Sequence, residues 1–234
     1  MNTNQRISFD RLQQLALFGE LGAGVTHETR NALTAIVGFA QLARLRNDPE
    51  TNGRHLELIE REALRAVELL EQFLTFSRTD AGEVEPVDLA NVIAHVVNVS
   101  APQVGLRQIT IATSVPSDLP RVHCRRGDMT QALLNLVVNA GHATPDAGLI
   151  DVVVTATGHE LDVVVTDSGA GVPVELRERI FEPFFTTKPA GQGVGLGLAL
   201  ARRIVISAGG SLVCDAASSG GARFIMRLPT VSAT

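Results

Sequence analysis

The sequence predicts two domains of different class. A helical hairpin pairs with a second copy into a four-helix bundle, and a two-layer α/β sandwich with a mixed sheet and three helices follows it. Three observations point there. Up to about residue 80 the chain is rich in Ala, Leu and Glu, and its apolar residues step by threes and fours with no credible strand. Beyond that point valine-rich runs are separated by glycines and prolines. The order of the later runs places helices on one face of a sheet. The expected domains are therefore 1–80 and 86–230, joined by a connector at 81–85.

In the first domain Leu12, Leu15, Val25, Thr29, Leu33, Ile36, Ala40 and Ala43 mark the stripe of a long helix, although Gly19, Gly22 and Gly24 lower its intrinsic propensity. NDPETNG at 47–53 breaks the pattern, which resumes as Leu56, Ile59, Ala63, Ala66, Leu70 and Phe73. Two helices cannot bury a whole stripe between themselves, so a second copy is the economical way to complete the bundle. After the turn-like TDAGEVEP, a helix starts near Leu89, and strands are expected at RQITIAT and PRVHC. GDMTQALLNLVVNAGHAT reads as the next helix, DVVVTATG and ELDVVVTDSG as a hairpin, GVGLGLALARRIVISAG as a third helix, and SLVCDAASSGGARFIMRLP as a closing hairpin.

Composition excludes some functions. The formal charge is −5 with acids and bases interspersed, and no basic run is interleaved with aromatics, which argues against a nucleic-acid partner. No apolar segment approaches the ~20 residues that span a bilayer, and MNTNQRISFD lacks the apolar core of a signal peptide. A soluble, cytoplasmic chain with no membrane segment is expected. Cys124 and Cys214 lie far apart without metal-ligand spacing, so buried reduced thiols are expected rather than a bridge or a zinc site.

Chemistry concentrates in five stretches. GVTHETRNALTAI sets His27 beside Glu28, with Asn31 one helical turn later on the face of His27. A histidine on a helix is commonly just solvated, but here three groups able to handle a proton or water share one stripe. Asn135 and Asn139 lie one turn apart in the otherwise apolar LLNLVVNAGHAT, where an amide needs a partner and its oxygen suits magnesium. In DSGAGVP, Asp167 follows a strand, and Gly169 and Gly171 allow close backbone approach. FEPFFTTKPAGQG is a loop with Lys188, the single lysine of the chain, after Phe181, Phe184 and Phe185, for which packing is expected. GQGVGLGLAL brings Gly193, Gly195 and Gly197 to the start of a helix, where free amide hydrogens and the dipole favour phosphate oxygens.

In this order and spacing, the Asn-bearing helix, the DxGxG turn, the aromatic loop and GxGLGL resemble the ATP-binding domain of sensor histidine kinases, a branch of the fold shared with gyrase, over about residues 86–228. HETRNALTAIVGFAQL resembles the phosphoacceptor box of the same two-component family. FEPFFTTKP and NAGHATPDAG look more like the nitrogen-regulation type than the large osmosensor type. The resemblance implies a cytoplasmic homodimer that uses ATP and Mg2+ to phosphorylate His27, with Glu28 as the neighbouring base. The group then passes to an aspartate of a response-regulator receiver domain. Asn31 matches a position linked to dephosphorylating that partner. By the same matching, Asn139 is the foremost Mg2+ ligand, Asn135 its helper, and Asp167 the acceptor for the adenine amino group. Gly169 and Gly171 shape the adenine pocket, Gly193, Gly195 and Gly197 face the phosphates, and Lys188 lies in a lid within reach of the terminal phosphate.

The chain departs from the common pattern at Ala32, where a proline is frequent, at His142, where a lysine or arginine is frequent, and at Val194, where a hydroxyl is frequent. His55, His95, His123 and His159 carry no convergent motif and receive no site role. A catalytically silent adaptor binding a receiver or another kinase is the alternative, opposed by the intact His27, Asn139, Asp167 and glycine run. An ATPase clamp of the gyrase kind would not carry the phosphoacceptor hairpin. The ten or so residues before the first helix are too few for a sensory domain. Either the chain is an excised core, or signals arrive through a separate sensory protein or the first helix.

Overall fold

A computed structural model describes residues 3–45, 48–77, 83–188, 195–217 and 220–231, with side chains from Gly22 onward except at 68, 72, 75–77 and 103. The chain separates into two compact units, Met1–Asp80 with Thr187–Val194, and Ala81–Thr186 with Gly195–Thr234.

The first unit is a pair of helices, α1 (Thr3–Leu45) and α2 (Pro49–Ser77). α1 runs unbroken through Gly19, Gly22 and Gly24, because a helical glycine costs only ~1 kcal/mol and the flanking turns continue the ladder. α2 starts earlier than the sequence suggested. Asp48 accepts a hydrogen bond from the Thr51 amide at 3.1 Å, and Pro49 occupies the first turn, where its missing N–H is not needed. Gly53 therefore lies inside α2. Val25 and Ala32 on α1 and Ala66 and Leu69 on α2 are buried. Leu33, Val37, Leu56, Leu64, Val67, Leu70 and Leu74 remain exposed on the two helices.

The second unit is built on a five-stranded mixed sheet in the order β2-β4-β5-β7-β6. Its strands are β2 (Thr110–Ser114), β4 (Leu149–Thr157), β5 (Glu160–Asp167), β6 (Ser211–Ala216) and β7 (Ala222–Pro229). β2 runs parallel to β4 and the other pairs are antiparallel. A separate antiparallel ribbon joins β1 (Glu85–Val87) to β3 (Val122–Cys124), with Glu85 opposite Cys124. β1 begins at the last residue of the expected connector and is too short to show alternation, so nothing in its sequence marks it as a strand.

Three helices, α3 (Leu89–Gly105), α4 (Arg126–Ala143) and α5 (Gly197–Ser207), complete this unit. Asp88 starts α3 by accepting the Ala90 N–H at 2.9 Å, satisfying one of the amides that a helix start leaves without a partner. Period-two burial makes the core: Val152 and Val154, Leu161, Val163 and Val165, and Phe224, Met226 and Leu228 are buried, with Met129, Leu133, Leu136 and Val137 of α4. Full burial of a side chain such as Phe224 contributes about 2–3 kcal/mol. Phe181 is also buried and meets Phe224 edge-to-face at 6.5 Å, so the aromatic loop is anchored in the core of its own unit.

Arg107 fixes the end of α4. Its guanidinium donates to the carbonyls of Gly141 and Thr144 at 2.9 and 2.8 Å and to Asp146 at 2.8 Å, supplying donors where a helix end leaves carbonyls unpaired.

Both cysteines are free; Cys124 is buried and Cys214, expected to be buried, is only partly so. Desolvation pushes each thiol up to about 11. Both are therefore protonated and weakly nucleophilic at neutral pH. Iodoacetamide at pH 7.5 should leave the folded protein essentially unmodified and alkylate both thiols in denaturant, which mass measurement reads directly. Rapid native labelling of Cys214 would contradict this.

Candidate functional site

On α1, His27 projects outward with 70% of its side chain exposed. Glu28 Oε1 lies 3.8 Å from its Nδ1, and the Asn31 side-chain amide lies 3.3 Å from the same nitrogen. The helical pitch thus brings the three residues together, as the spacing predicts. Both neighbours face Nδ1, which leaves Nε2 as the outward nitrogen. With the proton on Nδ1, toward the Glu28 carboxylate, and the Asn31 amide turned so that its oxygen faces that proton, Nε2 carries the lone pair on the outward side. Arg65 of α2, which sequence reasoning missed, donates to Glu28 Oε2 at 2.7 Å and sits 3.5 Å from Glu62.

In the second unit the central observation is Asp167 at the end of β5, only 2% exposed. Its Oδ1 accepts the amides of Gly169 at 2.9 Å and Ala222 at 3.2 Å. Its Oδ2 is buried with no hydrogen-bond partner among the described residues. A buried acceptor left without a donor is costly, so this oxygen is suited to a ligand N–H. The backbone around it has no room for side chains. A Cβ at Gly169 would overlap the Ala143 carbonyl, and one at Gly221 would overlap the Asp167 carbonyl. Gly171 adopts φ +75°, and a Cβ there would stand 2.9 Å from the Gly220 carbonyl.

α4 links this turn to the start of α5. Asn135, Asn139 and Ala143 follow at intervals of four on one helix face, spanning ~12 Å at the helical rise. At one end Asn135 Nδ2 donates to the Gly197 carbonyl at 3.0 Å while its Oδ1 accepts from Gln131 at 3.1 Å. At the other end Ala143 abuts Gly169. Between them Asn139 is half-buried and makes no side-chain hydrogen bond among the described residues, which leaves a hard amide oxygen for a cation. Asn135 has both amide ends engaged and acts first as a strut between α4 and α5.

Gly195 has φ +73°, and a Cβ there would come within 2.5 Å of the Phe185 carbonyl. Its carbonyl accepts the Phe184 amide at 3.0 Å, closing the base of the loop. Phe184 takes the left-handed conformation at φ 64°, which costs a non-glycine residue roughly 1–2 kcal/mol. Arg179 covers the Phe185 ring at 4.6 Å. Gly197 opens α5, and Gly193 and Val194 lie outside the described residues. Lys188 is half-buried at the end of the described part of the loop and stands outside the second compact unit.

Comparison with known proteins agrees with this division. Residues 125–232 match the family of histidine kinase-, DNA gyrase B-, and HSP90-like ATPases. Residues 19–82 match the His Kinase A (phospho-acceptor) domain. The chain is 33% identical over 220 residues to the sensor histidine kinase ZraS of Escherichia coli O157:H7, covering 94% of this chain and 48% of that protein. Among solved structures it resembles the nucleotide-free catalytic domain of histidine kinase ThkA, with a TM-score of 0.58 and 33% identity over 63% of this chain and 96% of that one. It also resembles ThkA in complex with the response regulator protein TrrA, with a TM-score of 0.81 and 30% identity over 97% of this chain and 66% of that one. The chain spans about half the length of the ZraS relatives it matches. Among the described residues no helix is long and apolar enough to cross a membrane.

Proposed function

The chain belongs to the sensor histidine kinases, and from that premise we propose that it is an ATP-dependent protein histidine kinase that phosphorylates itself on His27 and passes the group to an aspartate of a response-regulator receiver domain. The observation that carries the reading is the exposed His27 imidazole, faced at Nδ1 by Glu28 and Asn31. Nε2 attacks the γ-phosphorus, the N–P bond forms, and the bond to the β–γ bridging oxygen breaks with its electron pair leaving on ADP. Positive charge grows on the ring, the Nδ1 proton stays in place, and the Glu28 carboxylate offsets that charge. In the second unit Asp167 Oδ2 accepts from the adenine amino group, and Gly169 and Gly171 let the backbone pack closely around that carboxylate. Asn139 would supply an oxygen to Mg2+, which would neutralise phosphate charge when bound. Gly195 and Gly197 present backbone to the phosphates, and the family resemblance assigns Gly193 and Lys188 to the same phosphates.

The exposed Leu33, Val37, Leu64 and Leu74 form more apolar surface than one hairpin covers, which supports a homodimeric four-helix bundle. The cytoplasm, which holds ATP and receiver domains, is the proposed place of action. Incubation with γ-labelled ATP and then with a receiver domain tests the reading: label should appear on the chain and move to the receiver. Label released only as free phosphate, never held by protein, would overturn it.

Asn31 gives a second, selective test. Hydrolysis of an acyl phosphate needs a water aligned with the leaving oxygen, and an amide orients water without acting as a base. Asn31→Ala should leave autophosphorylation within about twofold while slowing loss of phosphate from the receiver about tenfold or more. Receiver-phosphate decay with Mg2+ and ADP, measured beside the autokinase rate, checks it. Equal decay rates would exclude the role, and parallel loss of both activities would indicate damaged packing.

A further inference from the structure

We infer that Arg65, on α2, is a positioning residue for phosphoryl acceptance by His27 and acts through Glu28; this rests on the proposed kinase reading. The two residues are 37 positions apart and meet across the hairpin, with Arg65 Nη2 at 2.7 Å from Glu28 Oε2. The contact is sheltered, the Arg65 side chain being 17% exposed. Its Nε is buried without a hydrogen-bond partner among the described residues, so the guanidinium is committed to this site and not solvated beside it. Glu62, one turn earlier on α2, holds the other side of the fork at 3.5 Å. The other charged groups nearby are Arg61, 4.0 Å from Glu62, and Arg30, which is exposed and makes no ion pair among the described residues.

The geometry divides the Glu28 carboxylate between two tasks. Oε2 is bound by Arg65, and Oε1 is left on the side of His27 Nδ1. A glutamate on a helix surface has three rotatable bonds, and holding it in one arrangement is entropically unfavourable unless something fixes it. Arg65 does so from the opposite helix, and a planar fork fixes direction better than a flexible ammonium. It also separates Glu28 from Glu62, which would otherwise repel in a sheltered setting. When positive charge grows on the imidazole, the carboxylate is already in place, and little reorganisation is required. The sequence could not show this, because nothing in α2 alone distinguishes Arg65 from Arg54 or Arg61.

The test compares wild type, Arg65→Met, Arg65→Lys, Glu28→Gln and the Glu28→Gln/Arg65→Met double variant in full-chain autophosphorylation, with helical content followed by circular dichroism. Arg65→Met should lower kcat roughly tenfold with KM for ATP unchanged, since ATP is held in the other unit. Arg65→Lys should recover part of the rate, by restoring the charge without the planar fork. In the Glu28→Gln background, Arg65→Met should cost little more, because its effect is routed through the carboxylate. A wild-type rate in Arg65→Met, a Lys variant as slow as the Met variant, or a full additional loss in the double variant would overturn the inference. Absence of label on wild-type His27 would overturn this inference and the kinase reading together, whereas label on His27 with an indifferent Arg65 overturns this inference alone.

Discussion

His27→Gln is expected to abolish stable phosphorylation while nucleotide binding persists. Glutamine keeps a polar side chain and a good helix propensity on an exposed position, so α1 should be undisturbed. What it lacks is a nucleophilic nitrogen, since an amide nitrogen's lone pair is delocalised into its carbonyl. The loss should therefore be complete and not graded. Asp167, Asn139, Gly169, Gly171, Gly195 and Gly197 of the proposed nucleotide site belong to the other compact unit, so affinity for a fluorescent ATP analogue should equal that of wild type. Acid-labile label remaining on His27→Gln would place the acceptor elsewhere. Loss of both label and nucleotide binding would show that the substitution had damaged more than the acceptor.

Asp167→Asn should remove most nucleotide affinity without unfolding the second unit. The two carboxylate oxygens have separate partners: Oδ1 receives the Gly169 and Ala222 amides, and Oδ2 has none among the described residues. Asparagine keeps the first set through its carbonyl, so the turn after β5 stays satisfied. It places an NH2 where an acceptor stood, and that donor faces the donor of the adenine amino group. Losing a charge-assisted hydrogen bond and setting two donors against each other costs about 3 kcal/mol, or roughly 100-fold in affinity. Titration with ATP and, for contrast, with a purine nucleotide bearing a carbonyl at the same ring position checks this. Asp167→Asn should lose ATP and gain relative preference for the carbonyl analogue. Unchanged ATP affinity would remove Asp167 from the adenine contact.

The local parts of both sites were legible in the sequence. His27, Glu28 and Asn31 lie within one turn of one helix, so spacing alone sets them side by side, and the distances around Nδ1 agree. Strand periodicity likewise marked β4, β5 and β7, where Val152 and Val154, Val163 and Val165, and Phe224, Met226 and Leu228 are buried. What escaped was set by pairing across the fold. The Ala222 amide reaches Asp167 from a strand 55 residues away, and Arg65 reaches Glu28 across the hairpin. Asn135 shows the same limit. Its place in an apolar helix signalled that the amide needed a partner, and the structure supplies one in the Gly197 carbonyl, 62 residues on. The start of α2 was misplaced for a different reason: Gly53 weighed as a breaker, whereas the Asp48 cap and Pro49 nucleate the helix ahead of it.

The central claim is that one imidazole in this chain accepts the γ-phosphoryl group. The most direct measurement is site mapping of the wild-type chain after incubation with Mg2+ and γ-labelled ATP, by peptide mass spectrometry at alkaline pH with acid and base stability of the label followed in parallel. A base-stable, acid-labile phosphoryl group on the peptide containing His27, and on no other histidine, is the predicted result. Phosphate on a hydroxyl residue, on a different histidine, or only in solution would contradict it.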